Sequence, residues 1–150
     1  MRAALPALLP TLILLAACGS DLPAGVDEAR LTDEIGRAIG DPSTCVLIAD
    51  AAGRVVYRFG SHTTCGRKLP GCEGDALRTV DALVKRQAQP GRPAVTASCR
   101  ALEPGRGVAW AAGPVAGRTL TFAAVMDGPK IPPGLVIRDK LAGAFRRAGR

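Results

Sequence analysis

The chain has 150 residues, 20 of them Lys or Arg against 13 Asp or Glu, for a net charge of +7 with a single histidine. That length is one domain's worth of chain. With one Trp, one Tyr and three Phe, the core must be built mainly from Ala, Val, Leu and Ile, and the basic residues are not interleaved with aromatics, which argues against nucleic acid as a partner.

In chain order, Met1 and Arg2 form a short basic start, followed by an apolar run from Ala3 to Ala17 interrupted only by Pro6, Pro10 and Thr11. The run is shorter than the roughly 20 apolar residues a membrane helix needs. A cationic head, a short apolar centre and small closing residues read as a cleavable export signal. Its end, Leu15-Ala16-Ala17-Cys18, resembles the lipobox of bacterial lipoproteins. That resemblance implies that the Cys18 thiol receives a diacylglycerol, that a peptidase cuts between Ala17 and Cys18, and that the new amino group is acylated. Two or three acyl chains hold a protein at a membrane stably, whereas one does so only marginally. In Gram-negative lipoproteins Asp after the Cys favours retention in the inner membrane. Gly19 and Ser20 stand here, so the resemblance implies the periplasmic face of the outer membrane. The expected organisation is a signal peptide over 1–17, a lipidated tether over 18–25, and a single domain over 26–150.

Charge divides unevenly along the exported part. Cys18 to Asp50 carries seven acidic and two basic residues, and Ala51 to Arg150 carries six acidic and 17 basic. The basic body reads as a solvated, Arg-rich surface; set against the acidic leading segment, it otherwise implies self-association or contact with anionic lipid heads or envelope polymers.

The stretch Asp27 to Ile39 predicts a helix, with Leu31, Ile35, Ala38 and Ile39 on one face and Asp27, Glu28, Asp33 and Glu34 in its first turns. Gly40-Asp41-Pro42 ends it. Thr44 to Ala49 and Arg54 to Phe59 predict two strands about the turn Asp50-Ala51-Ala52-Gly53. Gly60 to Gly74 reads as an irregular loop containing Ser61, His62, Cys65, Arg67, Lys68 and Cys72. Asp75 can cap a helix from Ala76 to about Gln89, with Leu77, Val80, Leu83 and Val84 facing inward and Pro90 stopping it. Further strands are predicted over Ala94 to Arg100, Val108 to Ala112 and Thr119 to Met126. Pro132-Pro133-Gly134 opens a last helix through about Arg147, with Ile137, Leu141, Ala144, Phe145 and Ala148 as its apolar stripe.

The expected fold is therefore α+β: a five-stranded antiparallel sheet packed with about three helices in the order α-ββ-α-βββ-α. That order resembles the profilin-like, roadblock and PAS/GAF group of small sensor and scaffold folds, a likeness carried by element order alone. Four cysteines besides Cys18 remain, Cys45, Cys65, Cys72 and Cys99. In an exported chain they predict two disulfides, with three connectivities open. Pairing Cys65 with Cys72 closes a short loop and leaves Cys45 with Cys99. Its rival, Cys45 with Cys65, follows from the hairpin, which returns the chain to the Cys45 end.

Chemistry is sparse. His62-x2-Cys65-x6-Cys72, with Glu73 or Asp75 as a fourth ligand, is the one metal arrangement on offer, suited to zinc or copper. It lacks the short Cys-x2–4-Cys pair of structural zinc sites, and exported thiols oxidise, so disulfides are the expected state and no cofactor or metal is expected. Adjacent Ser61 and His62 do not form a nucleophile–base pair. No Gly-x-Ser-x-Gly, Ser-x-x-Lys set or Cys-x-x-Cys occurs. No catalytic residue is assigned. The sequence points to a lipid-anchored envelope protein with a non-catalytic binding or scaffold domain, using an exposed sheet face or the His62–Cys72 loop. The alternatives are a metal-binding protein or small enzyme centred on that loop, and a structural envelope lipoprotein contacting anionic polymers.

Overall fold

The computed structural model describes residues 21–74 and 76–150. The predicted signal peptide, the Ala17–Cys18 junction and Asp75 lie outside the described residues. Helix α1 spans Glu28–Ile39, opened by Asp27, whose carboxylate accepts from the Arg30 amide at 3.1 Å. Its Leu31, Ile35 and Ile39 are buried. Strands β1 (Cys45–Ala49) and β2 (Val55–Phe59) form the expected hairpin. The Asp50 carboxylate organises the turn by accepting from the amides of Ala52 and Arg54, and Gly53 supplies the positive φ of 80°.

The next segment is more ordered than a loop. It holds a one-turn helix α2 (His62–Cys65) capped by Ser61, then a short ribbon of β3 (Leu69–Pro70) and β4 (Leu77–Arg78). Helix α3 spans Val80–Gln87, later than predicted, because Thr79 caps it through a bond from the Ala82 amide to its hydroxyl at 3.1 Å. Leu77 therefore sits on the ribbon, 48% exposed, rather than facing inward from a helix. Val80, Leu83 and Val84 are buried as expected. Strands β5 (Val95–Arg100), β6 (Gly107–Pro114) and β7 (Thr121–Gly128) run as a meander, and helix α4 (Gly134–Ala148) closes the chain.

The main sheet is fully antiparallel, in the order β2-β1-β7-β6-β5. Helices cover both of its faces. On one side Leu31, Ile35 and Ile39 of α1 and Ile137, Leu141 and Ala144 of α4 pack on Val46, Ile48, Ala109, Ala111, Phe122 and Ala124. On the other, Val80, Leu83 and Val84 of α3 pack on Leu47, Ala49, Trp110, Ala112, Ala123 and Val125. Alternate residues of each central strand feed the two cores, so β1, β6 and β7 are buried almost throughout. Each fully buried Val, Leu or Ile contributes about 1.5–3 kcal/mol.

This arrangement corrects the expectation of an exposed sheet face for ligand binding. The centre of the sheet is closed on both sides. Close contact is secured at Gly134, where a Cβ would lie 2.8 Å from Ala97 N and would collide with the Trp110 carbonyl. The two helices of the first face are tied by Arg147 Nε donating to Glu34 Oε2 at 2.5 Å. Among the described residues, no helix is long and apolar enough to cross a membrane.

Leu22 and Val26 pack against the first core, so part of the predicted tether belongs to the folded body.

Candidate functional site

Two disulfides form, Cys45–Cys65 and Cys72–Cys99, with Cα atoms 5.2 and 5.4 Å apart. The short-loop pairing of Cys65 with Cys72 is thus not the one adopted; the hairpin geometry that favoured Cys45–Cys65 prevails. Cys45 lies on β1 and Cys99 on β5, with β7 and β6 between them. The segment 65–72 is therefore a strap across one end of the sheet, covalently clamped at both ends. Its middle is seated by Leu69, which is buried, and by Trp110 Nε1 donating to the Pro70 carbonyl at 2.7 Å.

Arg78 of the ribbon stacks over the Trp110 ring, 4.7 Å from its centroid, and donates to the Gly71 carbonyl at 2.6 Å. Burial lowers its proton affinity from the ordinary arginine value. Cys72 adopts a φ of 66°, left-handed for a residue with a side chain. A strap held this tightly keeps its outward side chains in place without first having to order them.

Those side chains are basic. Arg67 leaves the strap and donates through Nη1 to Asp127 Oδ1 at 2.7 Å. Arg106, from the β5–β6 connection, donates through Nη2 to Asp127 Oδ2 at 2.8 Å. Asp127 itself is 1% exposed near the end of β7. A buried carboxylate is costly to desolvate unless it is paired and hydrogen-bonded, and here each oxygen has its own guanidinium. The bond to Asp127 in turn raises Arg106 above the ordinary arginine value. Arg67 and Arg106 remain 35% and 30% exposed. They line an open cavity of about 230 Å³ with Lys68, Leu69, Leu102 and Glu103.

The local charge is asymmetric. Three cationic side chains, Arg67, Lys68 and Arg106, face two carboxylates, and one of those is buried beneath them. The other, Glu103, is 69% exposed and lies 3.3 Å from Arg106 Nε. That Nε is buried and makes no hydrogen bond. Glu103 thus holds a carboxylate loosely where an anionic group from outside would sit. The arrangement can bind an anion by charge-assisted hydrogen bonds. It presents no nucleophile beside a base.

His62, Cys65 and Cys72 are not brought together as a ligand set. Cys65 and Cys72 belong to different disulfides and are not thiolates, and His62 is exposed with its ring against Arg58 Nη1, 2.9 Å from Nε2. Among the described residues no group of three or more His, Cys, Asp or Glu is placed to hold a metal ion. Of the residues read from the sequence loop, Arg67 and Lys68 reach the cavity. Asp127 and Arg106 were not singled out. Asp127 is the one acidic residue at the end of an apolar strand run (Phe-Ala-Ala-Val-Met-Asp), and a charge in such a position demands a partner.

Compared with known proteins, the chain matches no family model, no curated protein and no solved structure.

Proposed function

We propose that this is a lipid-anchored protein of the bacterial cell envelope whose domain is a non-catalytic binding module for anionic envelope components. The anchor is read from Leu15-Ala16-Ala17-Cys18, with Cys18 as the lipidated residue, and Gly19 favours the periplasmic face of the outer membrane in a Gram-negative cell. Element order resembling profilin-like, roadblock and PAS/GAF modules fits a sensor or scaffold role, but fold does not fix function. The site is therefore argued from its own chemistry. The observation that carries it is the buried Asp127, which holds Arg67 and Arg106 half-exposed at the mouth of a cavity on a doubly clamped strap. Two disulfides, consistent with an exported protein, set the geometry that the ligand meets.

The fitting ligand carries carboxylate or phosphate groups on a polymer that an anchored domain can reach, such as the peptide carboxylates of peptidoglycan. Binding of soluble peptidoglycan fragments tests this, measured by calorimetry at low and high salt. Affinity should fall as salt rises, fall about tenfold in Arg67→Ala or Lys68→Ala, and rise in Glu103→Gln, which removes the internal competitor. Binding indifferent to salt and to both cation substitutions would overturn the assignment. The anchor is tested separately, by the mass of the N-terminal peptide from envelope-purified protein. An unmodified Cys18 would sink it.

A further inference from the structure

The opposite end of the sheet carries a second cleft. Gly113 and Pro114 of β6, Ala116 of the following turn, Phe122 of β7, and Ala142 and Phe145 of α4 enclose about 250 Å³. The rings of Phe122 and Phe145 meet edge to face with centroids 5.3 Å apart, which stiffens the wall. Arg138 and Arg146, about two turns apart on α4, complete its lining. Arg138 pairs with Asp139 at 2.9 Å, whereas Arg146 is exposed and has no acidic partner among the described residues. An apolar cleft beside an unpaired guanidinium complements an amphiphile with a hydrocarbon body and an anionic head.

The start of the folded body indicates which amphiphile. Leu22 lines a second crevice with Val26, Arg118, Phe145 and Ala148, and Phe145 lines both that crevice and the cleft. Cys18 is four residues earlier, and four residues span at most about 14 Å. A lipid on Cys18 therefore brings this end of the domain to the bilayer surface. Leu120 borders the Leu22 crevice and Asp127 lies under the strap. Seven residues of strand, roughly 24 Å, separate them, so the basic cavity would face away from the membrane.

We propose that the α4 cleft binds one anionic phospholipid of the anchoring bilayer, its acyl chain against Phe122 and Phe145 and its phosphate on Arg146. The proposal rests on lipidation of Cys18 for the source of that lipid. The test is an NMR titration of the exported chain carrying Cys18→Ser, which has no acyl chains of its own. Its ligands are dihexanoyl-phosphatidylglycerol and dihexanoyl-phosphatidylcholine below their micelle concentrations.

Saturable shifts at Phe122 and Phe145 are expected with phosphatidylglycerol, at least tenfold weaker with phosphatidylcholine. Arg146→Glu, an exposed change that leaves the fold alone, should weaken binding tenfold or more. Ala142→Trp should block the cleft, and Lys130→Ala, an exposed cation outside both cavities, should change nothing. Equal affinity for the two lipids, shifts confined elsewhere, or indifference to Arg146→Glu would overturn the proposal. The mass of the Cys18 peptide separates the two failures. A lipidated Cys18 without phosphatidylglycerol binding sinks the cleft alone, and an unmodified Cys18 with binding intact sinks the bilayer as the source.

Discussion

Arg67 and Asp127 are 60 positions apart in the chain, yet Arg67 Nη1 lies 2.7 Å from Asp127 Oδ1. The contact joins a strap outside the sheet to the end of its central strand, and Arg106 completes it from the other side at 2.8 Å. Removing the carboxylate leaves two guanidinium groups without the anion that pairs both of them. Asp127→Asn keeps the shape but turns an amide donor toward one of the arginines. It should lower the melting temperature by about 10 °C, since breaking a buried ion pair is among the most destabilising single changes. Calorimetric melting of the oxidised protein measures this, and a shift of only a degree or two would show that the two arginines do not depend on Asp127.

The clamp predicts unequal consequences for function and folding. Opening Cys72–Cys99 by a double Ser substitution should cost about 2–4 kcal/mol. It should also release the strap from Trp110, whose indole donates to the Pro70 carbonyl. Trp110 is the only tryptophan and is fully buried, so its fluorescence should shift to the red in the folded variant. Anion affinity should fall in parallel. Counting thiols on the untreated protein gives the simplest check: none of Cys45, Cys65, Cys72 or Cys99 should react before reduction.

Acid should weaken the fold through Glu34. The hydrogen bond from Arg147 holds its carboxyl below the ordinary value of 4.5, with the charges of Arg147, Arg37 and Arg30 adding to this against a penalty from burial. A carboxyl depressed in the folded state contributes stability that is complete above its unfolded value and is lost as pH falls through the folded one. Urea unfolding should therefore show stability level with respect to Glu34 above about pH 5.5 and falling below about pH 4.5. Glu34→Gln should flatten part of that fall. Asp41 and Asp50, lowered by hydrogen bonds from Ser43 and from the Arg54 amide, account for more of it.

Gly134 opens α4 directly on the sheet. A Cβ there would lie 2.8 Å from both Ala97 N and Ala97 O, backbone atoms that cannot swing aside. Gly134→Ala should destabilise by about 1–3 kcal/mol as α4 is pushed outward. It should also disturb the bond from the Gly134 amide to Ser98 Oγ, now 2.9 Å. Chemical denaturation decides the point, and an unchanged midpoint would mean that the helix and sheet have slack there.

Much of the scaffold is legible in one dimension because it is set by neighbours in sequence. The period of Leu31, Ile35 and Ile39 gives α1, the β-rich runs about Asp50 to Gly53 give a hairpin, and Ile137, Leu141 and Ala144 give the inner face of α4. The even set of Cys45, Cys65, Cys72 and Cys99 gives two bridges for the same kind of reason, since parity and the export signal expected from the sequence suffice to predict them. Helix α3 starts later than its sequence predicts because Asp75 and Thr79 are both good capping residues, and the pairing of Leu77 and Arg78 with the strap decides between them. Which sulfurs pair, that both sheet faces are covered, and that Asp127 gathers Arg67 and Arg106 were settled only by the tertiary structure. Each depends on residues separated by tens of positions, whose encounter is fixed by strand order and by the cost of burying an unpaired charge rather than by any local pattern.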